Sequence, residues 1–110
     1  MSVQIRHCLG AILLCGVFSG GLAHAADPLK GKDKSTICAA CHGADGNSLT
    51  PEFPRIAGQH EDYLFRALLD YKHGLRKNPI MAAQVENLEK QDLADLAAWF
   101  ASQKGLVFKR

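Results

Sequence analysis

Apolar positions along the chain recur at helical spacing, and no stretch alternates apolar and polar residues well enough to predict a strand. Leu64, Ala67, Leu68 and Tyr71 fall at i, i+3, i+4 and i+7, one stripe that predicts a helix over about 60–72. Leu93, Leu96, Ala97 and Phe100 repeat the spacing, with Trp99 beside them, and predict another over about 90–103, where Asp92 favours the positive end. Ahead of both, Asp27-Pro28 reads as an N-cap followed by proline at the first helical position, opening a helix over about 28–40. Gly74 and Gly105 supply stops. Between the first two helices, residues 43–58 are rich in Gly, Pro, Asn, Ser and Thr and read as a loop long enough to suspect function. Arg76-Lys77-Asn78-Pro79-Ile80-Met81 reads as a breaker followed by two apolar residues, so the second connection is also expected to be irregular. The expected architecture is all-α, with three main helices. Irregular connections stay on the surface because burial strands their backbone polar groups. Two of them in so short a chain suggest that they wrap around something.

The N-terminal segment reads differently. Arg6 and His7 are followed by an apolar run over residues 9–18, too short to span a bilayer as a helix, and then by Ala23-His24-Ala25, an A-x-A cleavage site. Residues 1–25 are therefore expected to be a secretory signal peptide and residues 26–110 the mature domain. An uncleaved anchor is the alternative. A lipoprotein reading through Cys15 is weaker, because Leu14 is too large for the residue before a lipidated cysteine. No other stretch is long and apolar enough to span a membrane, so none is expected after cleavage.

Lys plus Arg number 13 against 11 for Asp plus Glu, a balance without the basic excess that nucleic-acid binding needs. A domain of this size buries a small fraction of its surface and often needs a staple. After cleavage only Cys38 and Cys41 remain, and a disulfide across a two-residue gap closes too small a loop to stabilise much. Something else is expected to complete the core.

Those cysteines lie in Cys38-Ala39-Ala40-Cys41-His42, the C-x-x-C-H pattern of covalent c-type haem attachment. Two thiols so spaced at a helix end reach the two vinyl groups on one porphyrin edge and form thioethers. The next residue then lies under the ring, where the His42 imidazole binds iron, and the small Ala39 and Ala40 let the backbone approach. An electron-transferring iron needs a second axial ligand, and Met81 is the only methionine of residues 26–110. A methionine is more often core filler, but downstream of this motif the ligand reading is preferred. A thioredoxin-like redox pair would follow a strand, and none is predicted. A zinc site would need four ligands, and only His60 and His73 could add nitrogens. Both histidines otherwise read as solvated helix-end residues, with His73 the backup axial ligand.

With these motifs in view, residues 31–103 resemble the class I cytochrome c family, in particular the bacterial periplasmic domains that also form each half of di-haem cytochromes. The resemblance rests on the C-x-x-C-H segment through Gly43-Ala44-Asp45-Gly46-Asn47, on Pro54-Arg55-Ile56-Ala57-Gly58-Gln59, Tyr63-Leu64, Tyr71-Lys72-His73-Gly74-Leu75-Arg76 and Pro79-Ile80-Met81, and on the last helix, in that order. It implies a cytochrome c fold around one haem c and its iron, with the first and last helices crossing where Gly31 meets Trp99 or Phe100. It implies that the Pro54 carbonyl accepts the second imidazole proton of His42, that Ile56 touches the haem, and that Cys38 and Cys41 are joined to it after export. Glu89 departs from the Ser or Thr that often opens the last helix, which implies a weaker cap. The implied function is periplasmic transfer of one electron at a time, with no catalysis of its own. The expected partners are a quinol-oxidising cytochrome complex, a terminal oxidase or a periplasmic dehydrogenase. A dehydrogenase subunit is the alternative, and a gas-binding or peroxidatic haem protein a third. Lys72, Arg76 and Lys77 would steer acidic partners, unless they are only a solvated charge run.

Overall fold

The structure, a computed structural model, describes residues 24–106. The expected leader therefore lies outside the described residues apart from its last two positions. Five helices follow one another: α1 (Pro28–Lys34), α2 (Thr36–His42), α3 (Glu61–Lys72), α4 (Pro79–Val85) and α5 (Lys90–Ala101). Among the described residues there is no strand, and no helix is long and apolar enough to cross a membrane.

The Asp27 side chain accepts from the Leu29 and Lys30 amides and opens α1, as the Asp-Pro pair predicts. The single first helix expected over 28–40 is divided at Ser35, whose hydroxyl donates to the Lys32 carbonyl at 2.7 Å. This side-chain bond competes with the helical ladder and sets the break. The larger correction concerns the second connection. Asn78-Pro79 is not a breaker but the start of α4: the Asn78 Oδ1 accepts from Ile80 N at 3.0 Å and Met81 N at 3.1 Å. Pro79 takes the first helical position, where its missing N–H costs nothing. Met81 thus stands in the first turn of a short helix. At the far end of α4, the Lys72 ammonium donates to the Glu86 carbonyl at 2.7 Å and fastens α4 to the end of α3. Nor does Glu89 weaken the start of α5, because the Asp92 carboxylate accepts from the Glu89 amide at 2.9 Å.

The helix α5 is the centre of the molecule. It supplies Leu93, Leu96, Ala97, Ala98 and Phe100 to the core, and α1 and α3 both pack on it. Each large apolar side chain so buried contributes about 1.5–3 kcal/mol. The crossing of α1 on α5 is close because residue 31 is glycine. A Cβ there would strike the Asp95 carbonyl and come within 2.9 Å of the Trp99 Cβ. Of the two expected partners, it is Trp99 that meets Gly31. From α3, Leu64 joins Leu96, Ala97 and Phe100 in one cluster, against which Cys38, Ile56 and Leu68 pack. The loop over 43–60 is tied to this core at several points. Ile56 N and Ala57 N donate to the Gly46 carbonyl, and Gly58 N donates to the Phe100 carbonyl at 2.9 Å.

Candidate haem-binding site

Helix α2 carries Cys38, Cys41 and His42 within one turn. The two cysteines stand at i and i+3 and so share a face of the helix. Both are free thiols and half-buried, and burial pushes the Cys38 thiol up from its ordinary pKa, so it stays protonated at neutral pH. His42 is the last residue of the helix. Gly43 follows at φ +84°, a conformation that side chains rarely adopt, and turns the chain away immediately after the imidazole.

His42 is buried, and its Nδ1 lies 2.8 Å from the Pro54 carbonyl oxygen. A carbonyl oxygen only accepts, so Nδ1 is the donor and holds the ring proton. In the neutral ring Nε2 then carries the lone pair, the tautomer of a metal-binding histidine oriented by a backbone carbonyl. The loop that delivers Pro54 is the one tied to Gly46 and Phe100, so the imidazole is oriented by the core itself. Ile56, two residues on, packs against the same cluster as Cys38. Sequence reasoning therefore placed Cys38, Cys41, His42, Pro54 and Ile56 in one neighbourhood, and the structure brings them together.

Met81 stands on a separate element, partly buried in the first turn of α4, which packs against α3. His60 and His73 flank α3 at its two ends and are exposed. Lys72 and Arg76 do not form a free charge run with Lys77. The first donates to the Glu86 carbonyl, and the guanidinium of the second lies 5.0 Å from the Tyr71 ring centroid. Among the described residues no three His, Cys, Asp or Glu side chains converge to hold a metal ion, which removes the support for a zinc site. Among the described residues no strand precedes the cysteine pair, as a thioredoxin-like site would require. The donor set fits a porphyrin iron instead: two thiols on one helix face and a buried imidazole with one nitrogen free.

Residues 29–104 match the family described as Cytochrome c. The chain belongs to the cytochrome c family. Cytochrome c4 of Pseudomonas aeruginosa is 55% identical over 85 residues, which are 76% of this chain and 42% of that protein. Cytochrome c-554(548) of Halomonas halodenitrificans is 39% identical over 83 residues, 73% of this chain and 100% of that one. The crystal structure of reduced recombinant cytochrome c4 from Pseudomonas stutzeri superposes with a TM-score of 0.71 at 46% identity, covering 76% of this chain and 48% of that chain. The chain thus spans about half the length of the cytochromes c4 it matches and resembles one half of the di-haem protein. Members of this family are electron carriers with c-type haem, and the Cys38 and Cys41 thiols of this cytochrome fit one covalently bound haem with its iron.

Proposed function

We propose that this cytochrome is a periplasmic one-electron carrier in which His42 and Met81 are the axial ligands of the haem iron. The observation that supports the reading is the His42–Pro54 hydrogen bond, which holds the ring in one orientation with Nε2 on the side away from the carbonyl. A bound haem supplies a one-electron iron couple, and the protein's residues set its properties. Met81 offers a thioether sulfur, a ligand that raises the reduction potential. Its position is fixed by the Asn78 cap, whose side chain holds the Met81 amide. Ile56, which packs on the same apolar cluster as Cys38, would lower the local dielectric and so disfavour the extra positive charge of the oxidised iron. Two protein ligands kept in both oxidation states leave little to reorganise and no open position for a substrate.

The A-x-A sequence after the apolar N-terminal run supports export, with haem attachment to Cys38 and Cys41 outside the cytoplasm. The partners are then a quinol-oxidising cytochrome complex, a terminal oxidase or a periplasmic dehydrogenase, each met briefly because a carrier must leave. The test is to fractionate cells and assay the purified cytochrome. A haem-staining band in the periplasm, a reversible one-electron wave and no binding of carbon monoxide by the reduced protein are expected. Carbon monoxide binding would mean an open coordination position, and recovery only in fixed stoichiometry with a larger catalytic chain would mean an enzyme subunit. Either result contradicts the free-carrier reading.

A further inference from the structure

Export with cleavage after Ala25 severs the Ala25–Ala26 peptide bond, and the residues on both sides of that bond are seated on α5. Gln91 Nε2 donates to the Ala25 carbonyl at 3.4 Å, and the Asp27 amide donates to Asp95 Oδ1 at 2.9 Å. The same Gln91 nitrogen also donates to Asp95 Oδ1, at 3.0 Å. Ala26, between these contacts, is half-buried, and Asp95 is buried.

The charges at this place do not balance. The carboxylates of Asp92 and Asp95 share one cation, the Lys34 ammonium, which lies 3.0 Å from Asp95 Oδ2 and also meets Asp92. Among the described residues no other cation pairs with either carboxylate. The Asp27 carboxylate, on the neighbouring segment, caps α1 through the Leu29 and Lys30 amides and adds a further negative charge. One charge of the Asp92–Asp95 pair is therefore left without a counter-ion, and an uncompensated charge away from water is costly.

Cutting the Ala25–Ala26 bond changes this. Hydrolysis consumes one water and gives the departing leader a carboxylate on Ala25. It leaves Ala26 a primary amine, which takes up a proton and becomes an ammonium. Its nitrogen precedes that of Asp27 by one residue, so it stands within about 7 Å of Asp95 Oδ1. Rotation about a single backbone bond of Ala26 carries it closer.

We propose that the α-ammonium created on Ala26 by leader removal pairs with Asp95 as its second cation and completes the clamp between α1 and α5. The inference rests on the export reading, with cleavage after Ala25, and not on the haem ligands. Before cleavage the same nitrogen is an uncharged amide, so the ion pair arises only with processing. The charged groups that face the ammonium are Asp27 on its own segment, Lys34 on α1, and Asp92 and Asp95 on α5. Three carboxylates against one ammonium favour its charged form, so it keeps its proton above about pH 8, where an ordinary α-amine loses it. A raised folded pKa contributes stability that is present below the ordinary value and is lost as pH rises through the raised one.

The test uses the exported holoprotein, its first residue established by N-terminal sequencing, beside a variant with one glycine inserted between Ala25 and Ala26. Cleavage of the variant leaves the ammonium one residue farther from Asp95. The readouts are the titration of the N-terminal residue, followed by carbon NMR of the reduced protein, and the denaturant midpoint as a function of pH. Ala26 should titrate above the ordinary α-amine range and the inserted glycine within it. The glycine variant should unfold at lower denaturant at neutral pH, and the gap should close as pH rises through the Ala26 pKa. Asp95→Asn should return Ala26 to the ordinary range; if it does not accumulate with haem, the glycine variant decides alone. Ordinary titration of Ala26, equal midpoints at neutral pH, or a gap that persists at high pH overturns the proposal. A first residue other than Ala26 overturns the cleavage reading and the ion pair with it, whereas Ala26 in first place with an ordinary titration overturns the ion pair alone.

Discussion

Lys34 reaches from α1 to the carboxylate of Asp95 on α5, with Nζ 3.0 Å from Oδ2, while the other oxygen of Asp95 accepts from the Asp27 amide at 2.9 Å. Asp95 is 1% exposed, and the same ammonium also meets Asp92 at 2.6 Å. Burial by itself pushes the Asp95 carboxyl up. The bonds from the Asp27 amide, Gln91 and Lys34 outweigh it and hold the carboxyl below the usual carboxylate range. Asp92 is lowered by its hydrogen bond with Lys34 and by the Glu89 amide, and Lys34 is raised by its bonds with both carboxylates. The polar network thus clamps the two crossing helices together.

A carboxyl depressed in the folded state stabilises the fold above its unfolded pKa, and that stability is lost as pH falls through the folded value. For Asp92 and Asp95 the loss begins near pH 4 and continues below it. For Lys34, with a raised pKa, the contribution is present below about pH 10 and disappears as pH rises further. Denaturant titrations of the holoprotein across pH should show both flanks. Asp95→Ala strands the Asp27 amide and should cost about 1–3 kcal/mol at neutral pH, with a flatter acid flank. An unchanged acid flank in Asp95→Ala would remove the network from the account.

Gly31→Ala tests the crossing. Its Cβ would collide with the Asp95 carbonyl, which is backbone and cannot swing aside, and with Trp99. Thermal unfolding should show a loss of about 1–3 kcal/mol or more. The absorption spectrum of the haem should survive, because the nearest atoms a Cβ at residue 31 would meet belong to α5 and not to α2. Unaltered unfolding would mean that α1 and α5 do not cross so closely.

Asn78→Ala removes the acceptor for the Ile80 and Met81 amides. The cost to stability should be about 1 kcal/mol. Because the same cap holds the start of α4, the thioether–iron charge-transfer band should fade at a lower temperature than in the unsubstituted protein. Equal thermal fading in the two proteins would separate the cap from the ligand.

The all-α class, the C-x-x-C-H site and α3 and α5 are legible in the sequence because period and spacing announce them. Leu64, Ala67, Leu68 and Tyr71 lie on one stripe whatever packs there, and two thiols followed by imidazole define their own chemistry. What escaped is local competition and reach. Asn78-Pro79 carries the same cap-and-proline signature as Asp27-Pro28, yet it was hidden by the loop residues before it, so α4 was not expected. Asp95 lies within an apolar run, and nothing in that run tells that its carboxylate will be met by an amide 68 positions earlier. Arg76 reads as part of a charge run in the sequence, because the return of the chain at Gly74, which lays its guanidinium over Tyr71, is a tertiary event. The Pro54 contact came from the family resemblance and not from any pattern in the loop.

The most direct test of axial ligation is the Fe(III) charge-transfer band of the purified holoprotein compared with Met81→Ala and His73→Ala. The band should be present in the unsubstituted protein and in His73→Ala. In Met81→Ala it should be absent, with a lower reduction potential and carbon monoxide binding by the reduced form. A band and potential that persist in Met81→Ala would contradict the assignment of Met81 as the ligand opposite His42.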